Sequence, residues 1–180
     1  MRLSARRMIL IALFAALTAV GGLIKIPMGV LSFTLQVFFC LLSGMLLGPL
    51  DGALSQALYV VIGLAGIPVF SQGGGIAYVM MPSFGYLLGL IPCAYVAGRI
   101  ARKPDAGLPR MMAGVGAAIL ALYAIGVPYL YFMVNAFTGT MTFGSALWSG
   151  MVIFLPMDIA KGLLAAAVTR MVRRRLPQNR

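Results

Sequence analysis

Long apolar runs, separated by short polar or basic stretches, dominate the pattern of residues along the chain. Residues 8–24 form an apolar run that ends at Lys25, and residues 26–50 carry no charge. The uncharged runs 52–98 and 111–157 are each too long for one membrane span of about 20 residues and suit two spans with a connection. The pattern predicts an all-α fold with six transmembrane helices in a single membrane domain, residues 1–180, with spans at roughly 8–25, 31–48, 52–68, 82–101, 111–134 and 146–169.

The composition indicates the same class of protein. Hydrophobic residues make up 62% of the chain and charged residues 9%, whereas a soluble domain carries about 25% charged residues. The basic N-terminus followed by an apolar segment resembles a signal peptide. Because the rest of the chain is equally apolar, we interpret this first segment as a retained helix of a polytopic membrane protein.

The net charge of +11 comes from basic residues that cluster at the ends of apolar runs. With six spans, both termini and the connection after span four lie on one side of the membrane. That side holds the three basic clusters, and the opposite side holds only Lys25. The positive-inside rule therefore predicts cytoplasmic N- and C-termini in a bacterial or archaeal plasma membrane. We interpret the clusters as topology signals and contacts with anionic lipid, and we expect no nucleic-acid partner. The clusters are Arg2, Arg6 and Arg7, then Arg99, Arg102, Lys103 and Arg110, and finally Arg170, Arg173, Arg174 and Arg175.

Few residues in the chain are able to carry reaction chemistry. It has no His and no Glu, and its three acidic residues are Asp51, Asp105 and Asp158. Metal sites and acid–base catalysis need paired carboxylates, His or Cys at suitable spacing. Cys40 and Cys93 both lie in apolar segments and are expected to serve as small packing residues. The sequence therefore predicts no enzyme, no metal site and no cofactor, and it favours binding of a small molecule inside the membrane.

Asp158 and Lys161 are the candidates for such a site. They lie three residues apart inside an apolar run, so on a helix they share one face. An ionised side chain near the middle of a bilayer costs on the order of 2.5–3.5 kcal/mol by insertion scales and is a functional candidate by default. Two interpretations stay open at this point: an ion pair that only holds helices together, or the polar floor of a ligand site.

A glycine-rich connection between the third and fourth spans supplies further candidates. It is interpreted either as a flexible loop or as an aromatic lid over a ligand, because consecutive glycines permit unusual backbone angles and close approach. Together with one polar residue from the second span and one from the 135–145 loop, the candidate substrate-binding residues are Asp158, Lys161, Gln36, Phe70, Gly74, Gly75, Tyr78, Tyr86 and Asn135.

Small residues repeat at intervals of four in the first span. Ala12 with Ala16, and Ala15 with Ala19, form two overlapping pairs. Small residues at this spacing let another helix approach closely. The neighbour is either a helix of the same chain or a helix of a partner protein.

Four motifs together resemble the BioY family of biotin-specific substrate-binding (S) components of energy-coupling factor (ECF) transporters. They are Phe33-Thr34-Leu35-Gln36, the segment 66–71 with its glycine run, Gly85-Tyr86-Leu87-Leu88-Gly89, and Asp158-Ile159-Ala160-Lys161. The resemblance implies a six-helix fold and biotin as the ligand. It also implies partnership with a transmembrane coupling (T) protein and cytoplasmic ATPases, with the alanine pairs facing the T protein.

Biotin carries a cyclic urea and a carboxylate tail. An ionised Asp158 would accept from the urea N–H groups. Lys161 would donate to the urea carbonyl or neutralise the carboxylate, and the sequence does not choose between these. Two alternatives stay open: a stand-alone membrane carrier, and a structural membrane subunit with an internal Asp158–Lys161 pair.

Overall fold

Helices account for most of the residues that the structure, a computed structural model, describes, which are 4–101 and 107–175. The predicted positions Arg2, Arg102, Lys103 and Asp105 lie outside the described residues. In chain order the elements are α1 (Ala5–Leu23), β1 (Lys25–Met28), β2 (Leu31–Thr34), α2 (Gln36–Leu47), α3 (Pro49–Leu64), a 3₁₀ turn (Ile76–Met80), α4 (Phe84–Ala101), α5 (Leu108–Thr138), α6 (Phe143–Leu147), a π-helical turn (Trp148–Val152) and α7 (Leu155–Arg175).

Six helical segments form the bundle, because α6, the π-helical turn and α7 run on as one segment, Phe143–Arg175. This segment, α1, α4 and α5 are long and apolar enough to cross a membrane. The other two, α2 and α3, have 12 and 16 residues. At 1.5 Å per residue they reach only about 18 and 24 Å, less than the roughly 30 Å hydrocarbon core. The prediction of a helical membrane protein with six helices is confirmed, but two of the helices are shorter than expected.

The all-α expectation is wrong for one segment, a β-hairpin between α1 and α2. Strands β1 and β2 pair antiparallel, with Met28 opposite Leu31. Gly29 at the turn has φ +73°, a backbone conformation that glycine adopts without a steric penalty. Residues 31–34, predicted as the start of the second span, are therefore a strand, and the helix begins only at Gln36. The hairpin carries Phe33 and Thr34 towards the centre of the bundle.

Glycines bring the backbones of α2, α3 and α4 into direct contact. A Cβ atom at Gly44 would collide with the carbonyl group of Ala94 on α4. A Cβ at Gly52 on α3 would lie 2.7 Å from the Cα of Gly44. The short helix α2 consequently sits in the middle of the bundle, where it contacts α1, α3, α4 and α7.

Basic side chains join the helices at one end of the bundle. Arg7 on α1 forms an ion pair with Asp51 on α3, with Nη2 2.6 Å from Oδ1. Arg173 on α7 donates to the carbonyl oxygens of Ala101 at 3.0 Å and Met45 at 2.6 Å. Arg110 at the start of α5 donates to the carbonyl oxygen of Ile100 at 3.0 Å. We call this the basic end, and the opposite end, which holds the hairpin and the 65–83 loop, the loop end.

Candidate functional site

A cavity opens among the hairpin, the 65–83 loop and the helices α2, α4, α5 and α7. It holds about 610 Å³ of space not filled by atoms, its mouth included. Most of its walls are apolar, with a few polar groups directed inward. The lining residues are Leu31, Ser32, Thr34, Gln36, Val37, Ser71, Tyr78, Ser83, Tyr86, Leu87, Leu90, Leu122, Tyr123, Phe154, Asp158 and Lys161.

Asp158, Lys161 and Tyr123 form what we call the ionic cluster of this cavity. The Lys161 Nζ donates to Asp158 Oδ1 at 2.7 Å, and the Tyr123 hydroxyl donates to Asp158 Oδ2 at 2.6 Å. Asp158 is only 3% exposed and Lys161 only 7%. Both oxygens of the carboxylate thus have a donor, which offsets much of the cost of burying the charge. The prediction that Asp158 and Lys161 share one helical face is confirmed.

The hairpin supplies the surface beneath the ammonium group. Lys161 Nζ lies 3.9 Å from the centroid of the Phe33 ring. A cation over an aromatic face is stabilised by the negative potential of the ring. Lys161 has three N–H donors, and among the described residues Asp158 is the side chain that accepts from it. The ammonium therefore keeps donor capacity for a molecule in the cavity.

The π-helical turn lies just before α7 and holds Tyr86, one of the residues that line the cavity. It is closed by a hydrogen bond from the amide of Ile153 to the carbonyl oxygen of Trp148 at 3.2 Å. The Tyr86 hydroxyl donates to the carbonyl oxygen of Gly150 at 2.8 Å. A Cβ at Gly150 would collide with that hydroxyl, so glycine is needed for this approach. Tyr86 also packs edge-on against Tyr123, with centroids 6.4 Å apart.

Gln36 lines the cavity, but its amide is already bonded within the chain. The Thr34 hydroxyl donates to Gln36 Oε1 at 2.8 Å. The Gln36 Nε2 donates to the Tyr59 hydroxyl, which in turn donates to the carbonyl oxygen of Val69 at 3.1 Å. These bonds connect the hairpin, α2, α3 and the 65–83 loop, so Gln36 fixes the position of the cavity wall.

Ser71, Tyr78 and Ser83 form a second polar group, which we call the hydroxyl cluster. The oxygen atoms of Ser71 and Tyr78 are 3.2 Å apart, and Ser83 donates to the Tyr78 hydroxyl at 3.2 Å. Lys25 on the hairpin donates from Nζ to the carbonyl oxygen of Ser71. The hydroxyl cluster thus joins the loop to the hairpin on the loop-end side of the molecule.

Four of the predicted site residues are not among those that line the cavity: Phe70, Gly74, Gly75 and Asn135. The Phe70 ring fills the space that a side chain at Gly63 would need and packs at a tilt against the Tyr78 ring, with centroids 4.7 Å apart. The amide of Gly75 donates to the carbonyl oxygen of Gly63 at 2.7 Å. These residues position the loop. Asn135 bonds instead to the backbone of Met141, with Nδ2 2.9 Å from its carbonyl oxygen, and it holds the connection between α5 and α6.

Tyr123 and the two serines of the hydroxyl cluster belong to the cavity, yet the sequence analysis did not select them. Tyr123 lies in the middle of a long uncharged run, and no neighbouring charged residue or motif identifies it as a site residue. Its role depends on the packing of α5 against α7, which joins residues 35 positions apart. The serines lie near the glycine run, and their polarity within an apolar region is the signal that could have identified them.

The two alanine pairs of α1 divide between the surface and the interior. Ala12 and Ala16 are exposed, Ala19 is half-buried, and Ala15 is 2% exposed and packs inside the chain. The four alanines line a shallow apolar groove between α1 and α3 together with Leu58, Tyr59, Ile62 and Val69. The groove leaves the backbone of α1 open to close approach at Ala12 and Ala16, whereas Ala15 serves packing within the chain.

A helical membrane bundle with a largely apolar cavity and a buried ionic cluster defines a membrane protein that binds a small molecule. The model of the BioY family matches residues 1–178, and the chain belongs to this family. The biotin transporter BioY of Thermotoga maritima is 39% identical over 164 residues, covering 91% of this chain and 93% of that protein. The probable biotin transporter BioY of Lysinibacillus sphaericus is 46% identical over 130 residues, covering 71% of this chain and 66% of that protein.

The fold is similar to that of a solved structure, the crystal structure at 2.1 Å of the S-component for biotin from an ECF-type ABC transporter. The TM-score is 0.71 and the sequence identity 22%, and the match covers 97% of this chain and 96% of the other. At this identity the likeness shows the fold.

Proposed function

We propose that this chain is the biotin-specific substrate-binding component of an ECF transporter and takes part in vitamin uptake. As a member of the BioY family it is a transport protein and not an enzyme. The observation that carries the proposal is the ionic cluster of Asp158, Lys161 and Tyr123, buried in the wall of a cavity whose other walls are largely apolar. A pair that only held helices together would need no cavity beside it.

The chemistry of the ionic cluster suits the cyclic urea of biotin. A urea offers N–H donors and a carbonyl acceptor side by side. Asp158 has lone pairs left after its bonds to Lys161 and Tyr123, because a carboxylate accepts at about four positions. Lys161 has further donors. Hydrogen bonds to ionised groups in a site without water are roughly twice as strong as neutral ones.

The apolar parts of the cavity suit the remainder of the ligand. Leu87, Leu90, Leu122 and Phe154 line the cavity beside the polar clusters and would cover the thioether ring. Burial of apolar surface contributes about 25 cal/mol per Å². A site of this kind combines a few oriented polar groups with an apolar enclosure, which is the usual composition of a high-affinity site.

The proposed orientation places both termini in the cytoplasm and the cavity towards the outside. The basic residues gather at the ends of α4 and α7 and the starts of α1 and α5, as the positive-inside rule requires of a cytoplasmic side. The hairpin and the 65–83 loop, which border the cavity, belong to the other end. Biotin captured there would be delivered inward with a T protein and cytoplasmic ATPases, and the groove beside Ala12 and Ala16 is the proposed surface for the T protein.

The purified chain, without nucleotide or partner, should be stabilised by biotin. Mass action gives about 2.7 kcal/mol of added stability at a hundredfold excess over the dissociation constant. The measurement is thermal unfolding in detergent with biotin, and with thiamine and riboflavin as controls. A shift with another vitamin and none with biotin would contradict the proposed ligand.

A further inference from the structure

The basic residues at the end of α7 divide into one arginine that faces the bundle and others that face away from it. Arg173 reaches inward, where it donates to the carbonyl oxygens of Ala101 and Met45. Arg170 and Arg174 are exposed, and no side chain in the described part of the chain pairs with either. Arg173 therefore holds α7 in place, whereas the fold leaves the charges of Arg170 and Arg174 unused.

The two exposed arginines continue an apolar stripe of the same helix. At about 100° per residue, four exposed residues fall within about 60° of one another, namely Leu163, Ala167, Arg170 and Arg174. They belong to a segment long and apolar enough to cross a membrane. Charges that end such an apolar stretch lie where the lipid headgroups begin. The stripe therefore runs from the level of the lipid tails to that of the headgroups, where it becomes basic.

A shallow cleft lies on this stripe at the basic end. Its lining residues are Ala167, Arg170, Met171, Arg174 and Arg175. Arg170 and Arg174 are four positions apart and thus neighbours on the helix surface. The small side chain of Ala167 leaves room beside them, and Met171 adds a flexible apolar contact. The cleft consequently combines two adjacent guanidinium groups with an apolar border.

The charge of the cleft is not balanced by the acidic residues that the structure describes. Asp51 is paired with Arg7, and Asp158 with Lys161. Like charges four positions apart on a helix repel each other. A bound phosphate group relieves this repulsion, and a guanidinium group can donate two parallel hydrogen bonds to it.

We propose that this cleft is a binding site for an anionic phospholipid, with the phosphate at Arg170 and Arg174 and an acyl chain along Leu163 and Ala167. Such a lipid supplies a negative charge and an apolar chain at the depths where the stripe is basic and apolar. An acidic segment of a partner protein would match the arginines only. The site is separate from the cavity, so it goes beyond the proposed function and can be tested without biotin.

The test is native mass spectrometry of the purified full chain, titrated in detergent with phosphatidylglycerol or with phosphatidylcholine of the same acyl chains. The unmodified chain should retain phosphatidylglycerol preferentially. The double variant Arg170→Gln, Arg174→Gln should lower the affinity for phosphatidylglycerol roughly ten- to thirtyfold, because each basic residue contributes to binding of an anionic lipid. Its affinity for phosphatidylcholine and its thermal unfolding in detergent without added lipid should change little, since both side chains are exposed.

Arg99→Gln is the matched control, because Arg99 is likewise exposed and lies near the end of α4 at the basic end, but does not line the cleft. It should leave the affinity for phosphatidylglycerol unchanged. Soluble glycerol 3-phosphate at the same concentration should not displace the lipid, because it lacks the acyl chains that contact the stripe.

Four results would overturn the lipid site. Equal retention of the two lipids by the unmodified chain would remove the preference for an anionic headgroup. Equal losses in Arg99→Gln and in the double variant would show a diffuse attraction to the whole basic end. Displacement by glycerol 3-phosphate would assign the cleft to a free phosphate ester. Loss of T protein co-purification in the double variant, with phosphatidylglycerol binding intact, would assign the arginines to a protein partner.

Discussion

At the scale of single residues, the pairing of Asp158 with Lys161 follows directly from the sequence, whereas the third member of the ionic cluster does not. Two charged residues three positions apart in an apolar run have few alternatives to sharing a helical face. Tyr123 is different, because its hydroxyl reaches Asp158 only through the packing of α5 on α7. Local sequence patterns contain no information on which of several tyrosines in apolar helices makes that contact.

Asp158→Asn separates the two interpretations of the ionic cluster. If Asp158 binds the urea, the substitution removes a charge-assisted hydrogen bond and should lower biotin affinity roughly ten- to a hundredfold or more. In both interpretations the substitution leaves Lys161 buried without its counter-charge and should lower the stability of the ligand-free protein, by about 3–5 kcal/mol, so a change in biotin affinity is what separates them. The measurements are biotin affinity and ligand-free unfolding on the same variant.

The double variant Asp158→Asn, Lys161→Met is the control, because it removes the unpaired buried charge as well. We expect it to recover ligand-free stability and not binding. Normal biotin affinity in the single variant, together with a large loss of stability, would exclude Asp158 from the binding site.

At the scale of elements, α1 carries exposed alanines and a buried one, and substitution by a larger residue should have different effects at the two kinds of position. Ala16 is exposed beside the groove, and a leucine there would hold a partner helix away. Ala16→Leu should therefore weaken assembly with a T protein and leave biotin binding by the isolated chain intact. Co-purification of the T protein in detergent, with biotin titration in parallel, measures both.

Ala124→Leu is the matched control for that experiment, since Ala124 is likewise exposed but lies on α5. It should affect neither quantity. Ala15→Leu should behave in a third way and destabilise the chain, because Ala15 is only 2% exposed and a larger side chain would overpack its surroundings. Loss of biotin binding with assembly intact in Ala16→Leu would show that this alanine serves the pocket or the fold.

The β-hairpin is the element that the sequence pattern of this chain failed to predict. Its apolar residues continue the uncharged run of the following helix, so a count of charges alone extends the helix back to residue 31. Pro27 and Gly29 are the signals of a break, and the structure places the turn at Gly29. In a membrane protein nearly every residue is apolar, and the contrast that marks strand alternation in soluble proteins is therefore weak.

At the scale of the whole molecule, the orientation in the membrane is the prediction with the widest consequences. Cysteines introduced at Gln72 and at Gly107 should report it, since both residues are exposed and the native Cys40 and Cys93 are buried. Gln72→Cys should react with an impermeant thiol reagent from outside intact cells, and Gly107→Cys should not. Gln72 is preferable to Gly74, where a Cβ would collide with the carbonyl oxygen of Ile67.

Reversed labelling would place the cavity on the cytoplasmic face and remove the argument for uptake.

The distribution of charge supports the proposed orientation. That distribution could be taken from the sequence alone, because basic clusters mark the ends of apolar runs. The short length of α2 and α3 could not be predicted from the sequence. It depends on glycine contacts with α4 that bring three backbones together, and glycines are too frequent in this chain to single those out.

Because of the π-helical turn, the number of residues between Trp148 and Asp158 determines the direction in which α7 presents its side chains. A π turn holds one residue more than the corresponding α-helical turn, and one residue corresponds to about 100° of rotation about a helix axis. The number of residues between Trp148 and Asp158 therefore cannot change without a rotation of α7. Loss of a single residue here would return the segment to regular α-helix and rotate α7 relative to α6. Asp158 and Lys161 would then be turned by about 100° away from the cavity, although every side chain of the ionic cluster would still be present.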